Sequence, residues 1–352
     1  MQIGIPKEIK TLEARVGLVP DACGELIRAG HSVSLERGAG VSSGFSDSEY
    51  EALGVSILPD AESIYGENEL IIKVKEPVDN EPEMLRDDQL LFSFLHLAAN
   101  KPLMERLMAS GVTAVAFETV EEVARLPILA PMSDIAGRLA IQIGSNLLHR
   151  PQGGKGLLLG GLPAAERGRV VVLGAGNAGG NSVRVAAALG AEVVAFDKNP
   201  QRLEIMREYG DNVTALYPYS EKVDQEIRNA DIVVGAVLIT GAKAPVLVSR
   251  QQVESMREGS VVVDIAVDQG GCIETTRPTS YDEPTYQVSG ITHFAVTNMP
   301  GAVPRTASQA LSASLIPYAL AIAGKDGLSD PRIKAGINLV KGEVVHPALQ
   351  GI

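Results

Sequence analysis

The run Val170-Val-Val-Leu-Gly-Ala-Gly-Asn-Ala-Gly-Gly180 decides the fold class. Four apolar residues lead into Gly174-x-Gly176-x-x-Gly179, and a helix-like stretch, Asn181–Leu189, follows. A dinucleotide-binding strand–turn–helix requires this order. Gly174 permits a tight turn, Gly176 lets the backbone approach a pyrophosphate, and Gly179 lets helix and strand pack closely. Asn177 and Ala178 complete the turn, and the helix N-terminus presents unpaired N–H groups to the phosphates. The next apolar run, Glu192–Phe196, ends on Asp197, 23 residues after Gly174. A carboxylate about 20 residues on meets the adenosine ribose hydroxyls. It also repels a 2′-phosphate, which favours NAD over NADP. Lys198 and Arg202 stand close by, however, and basic side chains accommodate such a phosphate.

Working outward, short apolar runs alternate with helical patterns over most of the 352 residues. Met1–Ile5, Ser32–Leu35, Leu70–Val74, Leu90–Leu95 and Thr113–Phe117 read as buried strands, with helices such as Asp21–Ala29 and Lys101–Ser110 between them. A second series comprises Val170–Leu173, Glu192–Phe196, Ile232–Val237, Val261–Ile265 and His293–Val296. Repeated strand–helix–strand units predict parallel α/β sheets with helices on their faces, and hence two α/β units with a boundary between 125 and 170. In that zone Ile135, Ala136, Leu139, Ile143 and Leu147 recur at helical spacing, which predicts a long helix with Ser133 as its N-cap. The Gly-rich stretch Pro151–Pro163 around a Leu triplet reads as an apolar hairpin and a candidate subunit contact. Thr306–Ala323 is again helical in pattern despite Pro317, so the chain is expected to return to the first unit.

Composition excludes several function classes. Thirty-one Lys and Arg against 43 Asp and Glu leave a net charge of −12, and there is no Trp, so a nucleic-acid partner is not expected. Two widely spaced cysteines, Cys23 and Cys272, suggest neither a disulfide framework nor a cysteine metal site, and no metal is expected. The N-terminus has no signal-peptide pattern, and apolar runs such as Ile232–Ile239 are far shorter than the roughly 20 residues that cross a bilayer. A soluble cytoplasmic protein without a membrane partner is the expectation.

Ligands of open α/β sheets bind outside the carboxyl ends of the strands, so polar residues there are the catalytic candidates. His96 follows Leu90–Leu95 and is either a neutral-pH proton carrier or a hydrogen-bonded core histidine. Lys73 and Lys75 lie two apart on one strand face. Buried ammonium groups are costly unless paired, which makes one of them, Lys75 nearer the strand end, a functional candidate against plain snorkelling. Arg15, in the loop after the first strand, offers a fork that matches a carboxylate, or is simply solvated. Asp268 leaves a strand into a Gly-Gly turn, where it faces a nicotinamide or merely forms the turn.

Nine segments, GIPKE, LIIKVKEP, FLHLAAN, LAPMSDIAGRLA, GAGNAG, GAVLITGAKAP, VDIAVDQGGC, RPTSYDEPT and NMPGAVPRT, fall in the order found in the alanine dehydrogenases, which this chain resembles from residue 1 to 323. The NAD-binding subunit of nicotinamide-nucleotide transhydrogenase and the lysine-forming saccharopine dehydrogenases are more distantly similar. The resemblance implies two Rossmann-like, doubly wound parallel-sheet domains with an active-site cleft between them. One is a discontinuous substrate domain, 1–128 plus 305–352, and the other an NAD-binding domain, 129–304. It implies that Arg15 and Lys75 bind substrate and that His96 and Asp268 are the catalytic acid/base pair. Cofactor contacts are implied for Ser133, the Gly174–Ala178 turn with Gly179, Asp197, Lys198, Arg202, Ser220, Val237, Leu238, Ile265 to Asp268, Arg277, Val296, Asn298 and Met299. The implied reaction is reversible oxidative deamination of L-alanine to pyruvate and ammonium, with NAD as oxidant, in a homohexamer. A transhydrogenase-type NAD module and a non-enzymatic NAD-binding protein are the competing readings.

Overall fold

Val, Ile and Leu dominate the short runs that become strands, because β-branched and apolar side chains fill both faces of a covered parallel sheet. The first six are β1 (Gln2–Ile5), β2 (Ser32–Glu36), β3 (Ser56–Leu58), β4 (Leu70–Ile72), β5 (Leu90–Ser93) and β6 (Thr113–Ala116). The next seven are β7 (Arg169–Leu173), β8 (Glu192–Phe196), β9 (Val213–Leu216), β10 (Ile232–Gly235), β11 (Val261–Asp264), β12 (Thr285–Val288) and β13 (Ile291–Phe294). Near the C-terminus come β14 (Ile337–Val340) and β15 (Glu343–Val344). In this computed structural model, which describes residues 1–123, 125–237 and 244–351, the chain divides into two units. One comprises Met1–Met132 with Gly301–Ile352, the other Ser133–Pro300.

The sheet of the first unit has the order β15-β14-β6-β5-β4-β1-β2-β3, parallel from β6 to β3, with β14 antiparallel to β6 and to β15. Its order reverses between β1 and β4. That of the second unit runs β12-β13-β11-β10-β7-β8-β9, parallel apart from β12, and reverses between β7 and β10. Both are α/β sheets of the doubly wound kind, and such reversals open the crevice in which ligands bind. Helices cover the faces. Leu91, Ile71 and Ala114 pack with Leu103 and Leu107 in the first unit, and Val171, Val233 and Val262 pack with Ile227 and Val253 in the second.

Three local expectations need correction. The long helix runs Ala130–Leu147, so Ser133 lies inside its first turn rather than capping it. Pro151–Pro163 forms no hairpin ladder: a 3₁₀ turn at Arg150–Gln152 precedes irregular chain, and only an isolated bridge joins Leu162 to Ala165. The glycines responsible are locked in tight backbone contacts, since a Cβ on Gly160 would lie 2.2 Å from the Leu189 carbonyl. Finally, β4 stops at Ile72 and β5 at Ser93, so Lys73, Lys75 and His96 sit on the loops leaving the strands.

The helix Pro304–Ala323 is long and apolar enough to cross a bilayer by length and composition alone. Its buried face contradicts that use. Ser308 and Ser312 accept hydrogen bonds from the N–H groups of Val16 and Val19, both at 3.0 Å, and Leu311 and Leu315 are fully buried beside them. It is a core helix of the first unit, and it fixes the loop that carries Arg15.

Candidate active site

In the second unit the glycine turn follows β7. Gly174 has φ +95°, and a Cβ there would lie 2.8 Å from the Ala236 carbonyl. At Gly179 a Cβ would sit 1.7 Å from the Gly174 carbonyl, so only glycine lets the helix Asn177–Ala188 pack against the strand. Gly176 differs, for a Cβ would meet nothing nearer than Arg202 Nη1 at 3.9 Å. Its Cα faces open space, as close approach by a pyrophosphate requires. The backbone therefore fits a dinucleotide. The helix Ala130–Leu147 reinforces the turn: Ser182 donates to the Gly137 carbonyl at 2.8 Å, and Asn181 donates to Asp134, the neighbour of Ser133, at 2.9 Å.

Asp197, at the end of β8, accepts from the Ala175 N–H at 2.7 Å and the Asn199 N–H at 2.8 Å, with Arg202 Nη1 at 3.5 Å. It thus braces the glycine turn as well as presenting negative charge beside it. Lys198 and Arg202 are exposed next to it. Val237 follows β10, whereas Leu238 lies outside the described residues. Ile265 to Asp268 leave β11, with Asp268 in the 3₁₀ turn Val267–Gln269. Val296, Asn298 and Met299 follow β13; Val296 bridges to Thr279, and Tyr281 donates to the Met299 carbonyl. These groups therefore leave the carboxyl ends of neighbouring strands. Ser220 is exposed at the start of the helix Ser220–Asn229 beyond β9. Arg277 lies over the Tyr286 ring at 4.3 Å, by the edge strand β12.

In the first unit the candidates leave β1, β4 and β5, three neighbours in the sheet. Arg15 is buried, and Glu13 takes its Nε at 2.7 Å and its Nη2 at 2.5 Å. Burial pushes the Glu13 carboxyl up, but the hydrogen bonds and charge of Arg15 outweigh it and hold it below the usual carboxylate range. Burial and the nearby Arg15 guanidinium both lower Lys75, against the pull of Glu76 and Glu13. Buried Arg15, paired with Glu13, and half-buried Lys75 thus stand close enough for their charges to interact. The loops bearing Lys75 and His96 are stitched together by the Phe94 N–H donating to the Val74 carbonyl at 3.1 Å.

Lys73 has a different task. It is fully buried, contacts both Glu81 oxygens at 2.5 Å and stands 3.9 Å from Glu8. It is an internal counter-ion, which leaves Lys75 as the lysine able to meet a ligand. His96 is a half-exposed residue with φ +50°, a left-handed conformation that costs a non-glycine residue about 1–3 kcal/mol. Its ring lies parallel to Phe94, centroids 5.9 Å apart, and Phe94 packs edge-on against Phe117. Its N–H donates to Glu118 at 2.6 Å. His96 is therefore not a core histidine.

Profiles of protein families match nearly the whole chain: "Alanine dehydrogenase/PNT, N-terminal domain" over residues 4–136, and "Alanine dehydrogenase/PNT, C-terminal domain" over residues 140–347. The chain belongs to the alanine dehydrogenase/PNT family. Within that family it is 45% identical to the alanine dehydrogenase of Mycolicibacterium smegmatis, covering 99% of this chain and 96% of that protein. It is 44% identical to the alanine dehydrogenase of Bacillus subtilis, covering 99% and 94%. A solved L-alanine dehydrogenase superposes with a TM-score of 0.96 at 48% identity, covering 99% of this chain and 98% of that one. A transhydrogenase from Sinorhizobium meliloti superposes with a TM-score of 0.86 at 27% identity, covering 99% and 100%.

Four acids of this family member escaped the reading of residues one by one. Glu13 grips Arg15, Glu118 grips the His96 turn, and Glu8 accepts from the N–H groups of Val74 and Lys75 at 2.6 and 3.2 Å. Asp264, fully buried, accepts from the N–H groups of Ala266, Cys272 and Ile273 and from Thr276 Oγ1, and so ties down the loop that carries Asp268. Burial raises Asp264, opposed by those same hydrogen bonds. Only Asp264 had a usable sequence signal, a lone carboxylate ending an all-valine strand.

Glu8 makes stability depend on pH. Burial pushes its carboxyl up to about 7, with Lys73 pulling the other way. An unfolded glutamate titrates near about 4.3. Between those values the folded protein holds a proton that the unfolded chain has lost. The associated stability is complete below the unfolded value and is lost as pH rises through 7, on the order of 3–4 kcal/mol in all. Glu8→Gln, fixed neutral, should flatten the decline of Tm between about pH 5 and 8. Parallel Tm profiles for the two proteins would contradict this.

Proposed function

We propose that the protein is an NAD-dependent L-alanine dehydrogenase, catalysing L-alanine + NAD⁺ + water ⇌ pyruvate + ammonium + NADH + H⁺, with the second unit as the NAD-binding domain and the first as the substrate domain. The observation that carries the reading is the buried Arg15 beside Lys75, with His96 on the neighbouring loop, in a member of the alanine dehydrogenase/PNT family. The chain is 45% identical to one alanine dehydrogenase and 27% identical to the transhydrogenase, which favours the dehydrogenase over the transhydrogenase-type module.

Arg15 takes the substrate carboxylate. With Nε and Nη2 held by Glu13, its orientation is set before substrate arrives, and that loss of freedom is not borne at binding. Lys75 points its ammonium at the carbonyl oxygen of pyruvate, where negative charge grows as the carbon is attacked. Its lowered pKa suits a group that polarises an oxygen and can release a proton. His96, half-exposed, exchanges protons between bulk water and the water or hydroxyl at the reacting carbon. Asp268 is its proposed acid/base partner. The Gly174–Gly179 turn and Asp197 would hold NAD, which would supply the hydride acceptor when bound. Ser133, Ala178, Val237, Ile265, Val296, Asn298 and Met299 complete the proposed cofactor contacts, with Ser220 and Arg277 farther out. We place the enzyme in the cytoplasm as a homohexamer. Leu158 and Leu162, 55% and 65% exposed, are the apolar residues that support self-association.

The test is spectrophotometric: purified chain with NAD or NADP against small amino acids, and with NADH against 2-oxo acids. NADH formation with L-alanine and no other protein is the expected result; binding of NADH without turnover of any amino acid would overturn it. NAD should be preferred over NADP. Asp197→Asn removes the charge while keeping an acceptor for the Ala175 N–H, so the ratio of kcat/KM for the two cofactors should fall by about tenfold or more. An unchanged ratio would detach Asp197 from cofactor choice.

A further inference from the structure

We propose that Glu118 is a positioning residue for the reaction, acting on substrate only through His96. The inference rests on the reading of His96 as the proton carrier. Glu118 lies at the carboxyl end of β6, the neighbour of β5, in the 3₁₀ turn Phe117–Thr119. Its carboxylate accepts from two successive backbone N–H groups, that of Leu95 at 3.2 Å and that of His96 at 2.6 Å. Oε1 also stands 3.9 Å from His96 Nδ1.

His96 holds φ +50°, and the residues around it determine that choice. A left-handed residue turns consecutive N–H groups toward one point, and an anion at that point stabilises the turn. Glu118 supplies the anion. Were it absent, the two N–H groups would lose their acceptor, and the backbone at 96 would relax toward the extended or right-handed regions that a non-glycine residue prefers. The imidazole would then leave its place parallel to Phe94. Position and orientation of a proton carrier matter steeply to rate, because proton transfer needs hydrogen-bond contact with the reacting group. The adjacent Phe117 works in the same direction, holding Phe94 edge-on at 5.0 Å. Glu118 also faces His346, near the C-terminus, which offers the rival explanation that its role is to anchor that segment.

A double-mutant cycle separates the two. Glu118→Ala should lower kcat for alanine by about tenfold in the wild-type background and by less than about twofold in His96→Ala, since a residue that acts through His96 has nothing left to position. KM for alanine should stay within about twofold, because Arg15 and Lys75 are held by other acids. Glu118→Gln, which keeps one acceptor oxygen at the same reach, should recover part of the loss. Equal losses in both backgrounds, or no loss in the wild type, would overturn the proposal while leaving His96 in its role. Should Glu118→Ala fail to fold, Glu118→Gln decides alone: a loss seen in wild type and absent in His96→Ala supports positioning, and any other pattern refutes it. If His96→Ala itself keeps wild-type kcat, the reading of the active site fails first, and positioning with it.

Discussion

Replacing His96 by alanine should lower alanine-dependent turnover by about 10²-fold or more, the usual contribution of a positioned acid/base group. The structure gives three reasons to expect a large effect. The imidazole is half-exposed, so protons can pass to and from water. Its ring is oriented by Phe94, and its backbone is held in a costly left-handed conformation by Glu118. It leaves β5 beside the β4 loop that bears Lys75. The loss should fall on kcat, with KM for alanine little changed, because we assign carboxylate recognition to Arg15. The measurement is kcat in both directions from about pH 6 to 10. Near wild-type turnover throughout that range would remove His96 from the chemistry.

Gly179→Ala should abolish useful dinucleotide binding. The added methyl would lie 1.7 Å from the Gly174 carbonyl and 3.3 Å from Ala236 Cβ, so backbone must move. Overpacking of this kind costs about 3 kcal/mol or more when the obstacle is main chain rather than a flexible side chain. The movement separates the helix Asn177–Ala188 from β7 and spreads the N–H groups proposed to cradle phosphate, so NADH affinity should drop about 10²-fold or more, along with Tm. Gly176→Ala provides the contrast. There the methyl meets only Arg202 at 3.9 Å, so the fold tolerates it, and affinity should fall with Tm unchanged if the methyl occupies the space we propose for the pyrophosphate. NADH fluorescence titration with thermal unfolding reads both; wild-type affinity in Gly179→Ala would refute the cradle.

How legible the site was depended on whether its parts are contiguous in the chain. The glycine turn and Asp197 belong to one strand–turn–helix–strand unit, and their spacing is itself the requirement for binding. Lys73 and Lys75 could not be told apart on spacing, since both follow the same strand. Glu81, eight residues on, and Glu8, from the other side of the sheet reversal, make Lys73 an internal counter-ion. Two of the carboxylates that hold the site were illegible for the same reason: Glu8 reaches the Lys75 loop across 66 residues, and Glu118 reaches His96 across 22. The misread hairpin at Pro151–Pro163 has the opposite cause. Its local composition suits a turn between strands, but close contacts with main chain elsewhere choose an irregular path.

Taken alone, the amino-acid order pointed to two α/β units with parallel sheets, a dinucleotide-type glycine turn followed by an acidic strand end, and the polar groups at strand ends from which a site could be built. These are properties of local periodicity and short spacings, which steric and hydrogen-bonding rules act on directly. Only the tertiary structure decided which charged groups neutralise each other inside and which are left to meet a ligand. That choice depends on distances between strands that are adjacent in the sheet and remote in the chain, and burial makes every such pairing energetically decisive.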